Sequence, residues 1–292
     1  MRVLIIGGTG FIGQHVVRQL ARDNHAVAVF HRGRTSVALP GNVCEILDPL
    51  SRMPIRKFPK QVFDFEPDVV VHTMAMGSAD AEAFVEAFTG QTGRLVLLSS
   101  GDVYLAYGRL AGLEPGPVEP GLLSEDAPLR KVLFPYREQA QSAESLEYWY
   151  EKLLAEQAVL ASVKSISTVL RLPKVYGPES NQDLATVYRY SHQPQWRWTH
   201  DYVENVAAAV VLAATHSAAG GRIYNVGEAY TPTVAERLAY MPPSRIEPDR
   251  NSRFNFAQDI AYDTSRIRDE LGYRETVSEE EALAKTLMSR PN

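Results

Sequence analysis

Apolar and polar positions along this chain fall into alternating blocks of two periods. Val3–Ile6 is an unbroken apolar run, as a parallel strand buried on both faces requires. Beyond it the period changes: Phe11, Val16, Val17 and Leu20 share one face of a helix predicted over Phe11–Ala21. The same reading predicts strands at Ala26–Phe30, Val43–Leu47, Asp68–His72, Arg94–Ser99, Ile166–Leu172 and Arg222–Val226. Helices are predicted at Ala79–Phe88, at Ala143–Ala161 (with Leu146, Trp149, Leu153 and Leu160 at helical spacing) and at Tyr202–Ala214. The tail "YDTSRIRDELGY" followed by "VSEEEALAKTL" predicts a short helix, a turn and a terminal helix. Leu105–Arg137 breaks the alternation. Its "GLEPGPVEPG" predicts a long loop, and loops of that length in a compact domain commonly serve a function.

Strands alternating with helices imply right-handed crossovers and a parallel sheet covered on both sides. The fold class expected is therefore α/β, a Rossmann-like doubly wound parallel sheet with a small, interleaved C-terminal substrate domain. Residues 1–172, with about 197–227, form the dinucleotide-binding domain in this reading. Residues 173–196 and 228–292 form the substrate-binding segments.

A length of 292 residues suits this plan, with 45% hydrophobic and 22% charged residues as in soluble globular proteins. The net charge of −5 argues against a nucleic-acid partner, which selects for a basic face. A single cysteine, Cys44, allows no internal disulfide and suits a reducing cytoplasm. No apolar stretch reaches the length of a membrane span. The seven histidines show no paired ligand spacing, so no metal site is expected.

The first candidate chemistry lies in "MRVLIIGGTGFIG". Gly7 permits a tight turn after the first strand, Gly10 lets backbone approach a pyrophosphate, and Gly13 allows close packing of helix on strand. Thr9, Phe11 and Ile12 complete the turn, and the helix start offers free N–H groups and partial positive charge to phosphates. At the end of the second strand, where an acid would hold an adenosine ribose, the sequence reads "VFHRGRT". His31 stands in the acid's place, and Arg32 and Arg34 suit a 2′-phosphate better than a free hydroxyl. The cofactor expected is NAD(P), with the arginines favouring NADP. Further on, "SLEYWYEKLLAEQAVL" sets Tyr148 and Lys152 four apart, on one face of the predicted helix. A neighbouring ammonium favours the phenolate of a tyrosine, whose reference pKa of ~10 otherwise makes it a poor base. "LVLLSSGDVY" ends a strand in Ser99–Ser100, at the sheet edge where α/β sites form.

Taken in order, "GGTGFIG", "DVVVH", "SSGDVY", "YWYEK", "LRLPKVYGP" and "YDTSRIRDELGY" resemble the extended short-chain dehydrogenase/reductase family, of the NAD-dependent epimerase/dehydratase type. The resemblance implies Tyr148 as catalytic acid/base, Lys152 on the nicotinamide ribose, Ser100 as the active-site hydroxyl and Asp48 on the adenine side. It also implies hydride transfer between a nicotinamide and a substrate hydroxyl/carbonyl carbon, a nucleotide sugar being one candidate substrate, and a homodimer through the long helices. Lys174 replaces the asparagine that many sugar-nucleotide members carry, and Arg197 in "WRWTHDYVENVAAAV" is a second candidate for an anionic ligand. "VYL" stands in place of "VYG", Pro49 follows Asp48, and the stretch after residue 228 is short for grasping a nucleotide sugar. An NADPH-dependent carbonyl reductase of a small metabolite is the alternative, with Leu105–Arg137 and the two tryptophans walling its pocket. A non-catalytic dinucleotide-sensing or RNA-binding scaffold ranks lower, because the serine, tyrosine and lysine are all present.

Overall fold

Val3 and Ile5 pack on one side of the central sheet, Leu4 and Ile6 on the other, which is why the first strand reads as continuously apolar. The computed structural model describes residues 1–143, 145–163, 166–182 and 184–288. Its strands are β1 (Arg2–Ile6), β2 (Ala26–His31), β3 (Cys44–Leu47), β4 (Val69–His72), β5 (Arg94–Ser100), β6 (Ser167–Leu172), β7 (Lys174–Tyr176), β8 (His200–Tyr202) and β9 (Arg222–Asn225). Seven of them form one sheet in the order β3-β2-β1-β4-β5-β6-β9, every neighbouring pair parallel. This is the Rossmann-like α/β fold expected from the sequence. Its order reverses between β1 and β4, where open α/β sheets leave a crevice for ligands.

One face of the sheet is covered by the helices Phe11–Arg22 and Val203–Thr215, through Val16, Val17, Leu20, Val206 and Val210. The opposite face carries Ser78–Phe88 and Lys152–Val163, through Phe84, Phe88, Ala155 and Val159. Fully burying a side chain of this size contributes about 1.5–3 kcal/mol, so the two layers set the platform on which the site is built. A second core lies beyond the C-terminal edge of the sheet. Its members come from two distant stretches: Tyr104, Leu110 and Leu123 from the first, Tyr176, Trp196, Tyr202, Ile260 and Tyr262 from the second. The short parallel pair β7–β8 belongs to this layer.

Two local expectations are corrected. The stretch Leu105–Arg137 opens with a helix, Leu105–Leu110, and the remainder is tied down at points, with Leu123 bridged to Tyr262 and Arg130 buried. The single helix expected over Ala143–Ala161 is broken: a short turn Leu146–Trp149 ends, and a new helix begins at Lys152. Glu151 causes the restart. Its N–H leaves the helical pattern to donate to the Met76 carbonyl at 2.7 Å, while its carboxylate accepts from the Leu153 N–H at 3.1 Å as an N-cap does. No helix among the described residues is long and apolar enough to cross a membrane.

Candidate functional site: a dinucleotide cradle beside an aromatic cavity

The three glycines of the β1 turn have separate duties. At Gly7 the backbone is left-handed (φ 87°), and an added Cβ would lie 2.5 Å from Met74 Cγ and Thr73 Oγ1. At Gly13 it would meet the Gly7 carbonyl oxygen at 2.4 Å, so only glycine lets the helix sit this close to the turn. At Gly10 its only close neighbour is the same oxygen at 3.3 Å, and the rest of that face is open. Gly10 caps the helix Phe11–Arg22 with no side-chain bond, leaving the N–H groups at Phe11 and Ile12 directed to the crevice. Thr9 is buried in the same turn. The residues fit a pyrophosphate.

At the end of β2, His31 lies 3.2 Å from the Glu45 carboxylate and its Nδ1 accepts from the Gly33 N–H. Asp48 is occupied by its own turn, its Oδ1 accepting from the Leu50 N–H at 3.0 Å. Arg32 is half-buried, Arg34 exposed. Burial, then the charges of Arg34 and Arg52, hold the Arg32 guanidinium below its ordinary value. Arg52 was not singled out in the sequence. It reaches this edge because the loop after Asp48 folds back, its guanidinium donating to the Leu50 carbonyl at 3.0 Å.

A cavity of about 560 Å³ opens where β5 and β6 end. Ser100, Asp102, Tyr150 and Lys174 line it, with Tyr107, Tyr136, Tyr190, Trp198 and Phe254 as its aromatic walls. Ser100 is set there by β5, the strand paired to β6 with Ser100 opposite Leu172. Lys152 lies directly beneath. Its buried ammonium donates to the carbonyls of Ala75 (2.5 Å) and Leu98 (3.0 Å), clamping the ends of β4 and β5. Burial lowers its pKa to about 8, against the pull of Asp102, Asp80 and Glu156.

The broken helix changes which tyrosine faces this serine. Tyr148 and Lys152 do not share a helical face. Tyr148 sits outside the cavity lining, its ring beside Trp149 and under the Arg137 guanidinium at 4.7 Å. Tyr150 lines the cavity instead, its hydroxyl toward Ser100 and Asp102 and its ring 5.9 Å from the Lys152 ammonium. Burial and then the Asp102 charge push the Tyr150 phenol well above its ordinary value, while the Ser100 hydroxyl pulls the other way. The group is thus kept protonated, as a proton donor. Three aromatics in a row, Tyr148, Trp149 and Tyr150, were the one sequence sign that the choice of tyrosine was open.

Lys174 also lines the cavity, its ammonium 5.0 Å from the Trp198 ring. Burial, then Arg189, lower its pKa, and among the described residues no carboxylate forms an ion pair with either cation. Arg197 is not in the lining. It packs over Tyr230 at 5.8 Å, and its N–H donates to Asp259. Trp196 is a core residue and Trp198 a wall.

A Gly-rich βα turn at the switch point, a serine at the end of β5 and a buried lysine bonded to that strand are thus set on a Rossmann-like α/β fold. Residues 3–104 match the sequence model of the NAD dependent epimerase/dehydratase family. A curated relative, 2′-dehydrokanamycin reductase of Streptomyces kanamyceticus, is 34% identical over 100 residues, a match covering 34% of this chain and 28% of that relative's length. Among solved structures, the UDP-glucose 4-epimerase of Thermotoga maritima, determined with UDP-glucose, superposes with a TM-score of 0.70. It is 18% identical, the match covering 99% of this chain and 98% of that one. The UDP-glucose 4-epimerase of Thermus thermophilus, in complex with NAD, gives 0.67 at 22% identity over 99% and 98%. At these identities the structural likeness speaks to the fold.

Proposed function

We propose that this protein is an NADP(H)-dependent oxidoreductase interconverting a carbonyl and a carbinol on a small polar substrate. The observation that carries the reading is the meeting of Ser100 and Tyr150 in one cavity, with the buried Lys152 ammonium 5.9 Å from the Tyr150 ring. A bound nicotinamide dinucleotide supplies or accepts the hydride. Ser100 donates a hydrogen bond to the substrate oxygen and orients it toward Tyr150. Tyr150 gives its phenolic proton to that oxygen in reduction and takes it back in oxidation. Lys152 keeps β4 and β5 in register at the reacting edge, with a remaining N–H for a ribose hydroxyl. Lys174 takes an acceptor or anionic part of the substrate. Among the residues read from the sequence, Gly7, Thr9, Gly10, Phe11, Ile12 and Gly13 hold the pyrophosphate, and Arg32 and Arg34, joined by Arg52, the 2′-phosphate.

A second reading, a nucleotide-sugar epimerase or dehydratase, is favoured by Lys174 and Arg189, which form no ion pair among the described residues and suit a diphosphate. The solved neighbours that carry UDP-glucose or UDP add to it.

Cofactor choice is the first test. NADPH is expected to bind more tightly than NADH when titrated by nicotinamide fluorescence. Arg32→Ala should weaken NADPH alone by roughly tenfold to a hundredfold, the worth of a charge-assisted bond. Equal affinity for the two nucleotides in the unaltered protein would overturn the 2′-phosphate assignment. Net oxidation of NADPH by a ketone supports the first reading, and conversion of UDP-glucose to another sugar nucleotide with no net change in cofactor supports the second.

A further inference from the structure

Asp102 is 4% exposed, yet it lines the cavity one turn from Ser100. Its Oδ2 accepts from the Tyr136 hydroxyl at 3.0 Å. Its Oδ1 is buried and has no hydrogen-bond partner among the described residues. The nearby Arg130 guanidinium does not pair with this carboxylate. It donates instead to the Asp102 backbone carbonyl and to Glu151 at 2.8 Å, where both side chains are wholly buried. Two of the three Lys152 ammonium donors likewise go to backbone carbonyls. What remains is a buried carboxylate oxygen in the wall of the cavity, in no ion pair among the described residues, with the Tyr150 hydroxyl that also faces Ser100 as its neighbour. A buried acceptor left this way is costly, and the cost is recovered only when something entering the cavity donates to it.

We propose that Asp102 is a substrate-binding residue that takes a hydrogen-bond donor, a hydroxyl or an amine, on the carbon next to the reacting one. The inference rests on the oxidoreductase reading of this cavity, because it is the Ser100–Tyr150 pair that fixes where the reacting carbon lies. Asp102 follows Ser100 by two residues at the end of β5, and both face Tyr150. A substrate oxygen between Ser100 and Tyr150 therefore leaves its neighbouring substituent next to Oδ1. Tyr107 supports the arrangement: its hydroxyl lies 3.0 Å from that of Tyr136, which has given its one proton to Asp102 and therefore accepts here. The substrate class so described is a vicinal hydroxy- or amino-ketone and the corresponding diol or amino alcohol.

Binding, measured apart from turnover, tests this. The full chain with NADP is titrated with three ring compounds of one size: cyclohexanol, trans-cyclohexane-1,2-diol and trans-2-aminocyclohexanol. Intrinsic tryptophan fluorescence is the readout, since Trp198 lines the cavity. The diol or the amino alcohol should bind about tenfold to a hundredfold more tightly than cyclohexanol, as a bond to a buried charged acceptor provides. Asp102→Ala should bring the three affinities together. Asp102→Asn keeps an acceptor but no charge, so a preference for the amine should vanish in it while a preference for the diol survives. Equal affinities in the unaltered protein, or a donor preference unchanged in Asp102→Ala, would overturn the assignment. A donor preference in binding, with no hydride transfer to 2-hydroxycyclohexanone, would sink the oxidoreductase reading and leave the subsite standing.

Discussion

Tyr150→Phe is expected to lower turnover about 10²–10⁴-fold, the usual worth of a positioned general acid, with NADPH affinity unchanged. Tyr148→Phe is expected to leave kcat/KM near that of the unaltered protein. The contrast follows from the break at Glu151. An uninterrupted helix would set Tyr148 over Lys152, whereas the extended link at residues 150–151 turns Tyr150 to Ser100 and leaves Tyr148 stacked beside Arg137. Single-turnover mixing of protein, NADPH and ketone measures the step directly. Full activity in Tyr150→Phe together with loss in Tyr148→Phe would mean that the helix re-forms through 150 when ligand binds.

Glu151→Ala is expected to cost about 3–5 kcal/mol of stability, because it leaves the buried Arg130 guanidinium without its partner. The cost spreads beyond the pair. Glu151 also accepts from the Phe134 N–H and from the Leu153 N–H, so one side chain ties the 131–134 segment to the start of the lysine-bearing helix. Removing it should lower both the melting temperature and the catalytic rate. Replacing both partners, Arg130→Met with Glu151→Leu, should restore much of the stability, since two apolar side chains leave no orphaned charge. The rate should stay low, because the anchoring of Tyr150 is still missing. Urea unfolding and NADPH oxidation, run on the same three proteins, separate the two effects.

The parallel sheet was legible because burial on both faces writes itself as unbroken apolar runs, and β1, β4 and β5 carry little else. The steric need for glycine at Gly7 and Gly13 could be read as well, since each follows from position in a strand–turn–helix unit. The helix break could not. Leu146, Trp149 and Leu153 keep a helical period straight through it, and the groups that enforce it, the Met76 carbonyl and the Arg130 guanidinium, come from far along the chain. Arg52 escaped notice for a similar reason: its approach to Arg32 depends on how a loop folds back. Arg197 misled because a basic residue between two tryptophans looks like a ligand contact. Its strand-like setting turns it to Tyr230 and Asp259, away from the cavity.

Asp102 and Lys174 line one cavity with opposite charges, and among the described residues neither forms an ion pair. A substrate gripped by a donor at one end and an acceptor at the other has a head and a tail as far as the cavity is concerned. It can enter in one sense only. In the reaction proposed, the trigonal carbon between Ser100 and Tyr150 would then present a single face to the cofactor, and the alcohol that leaves would have one handedness.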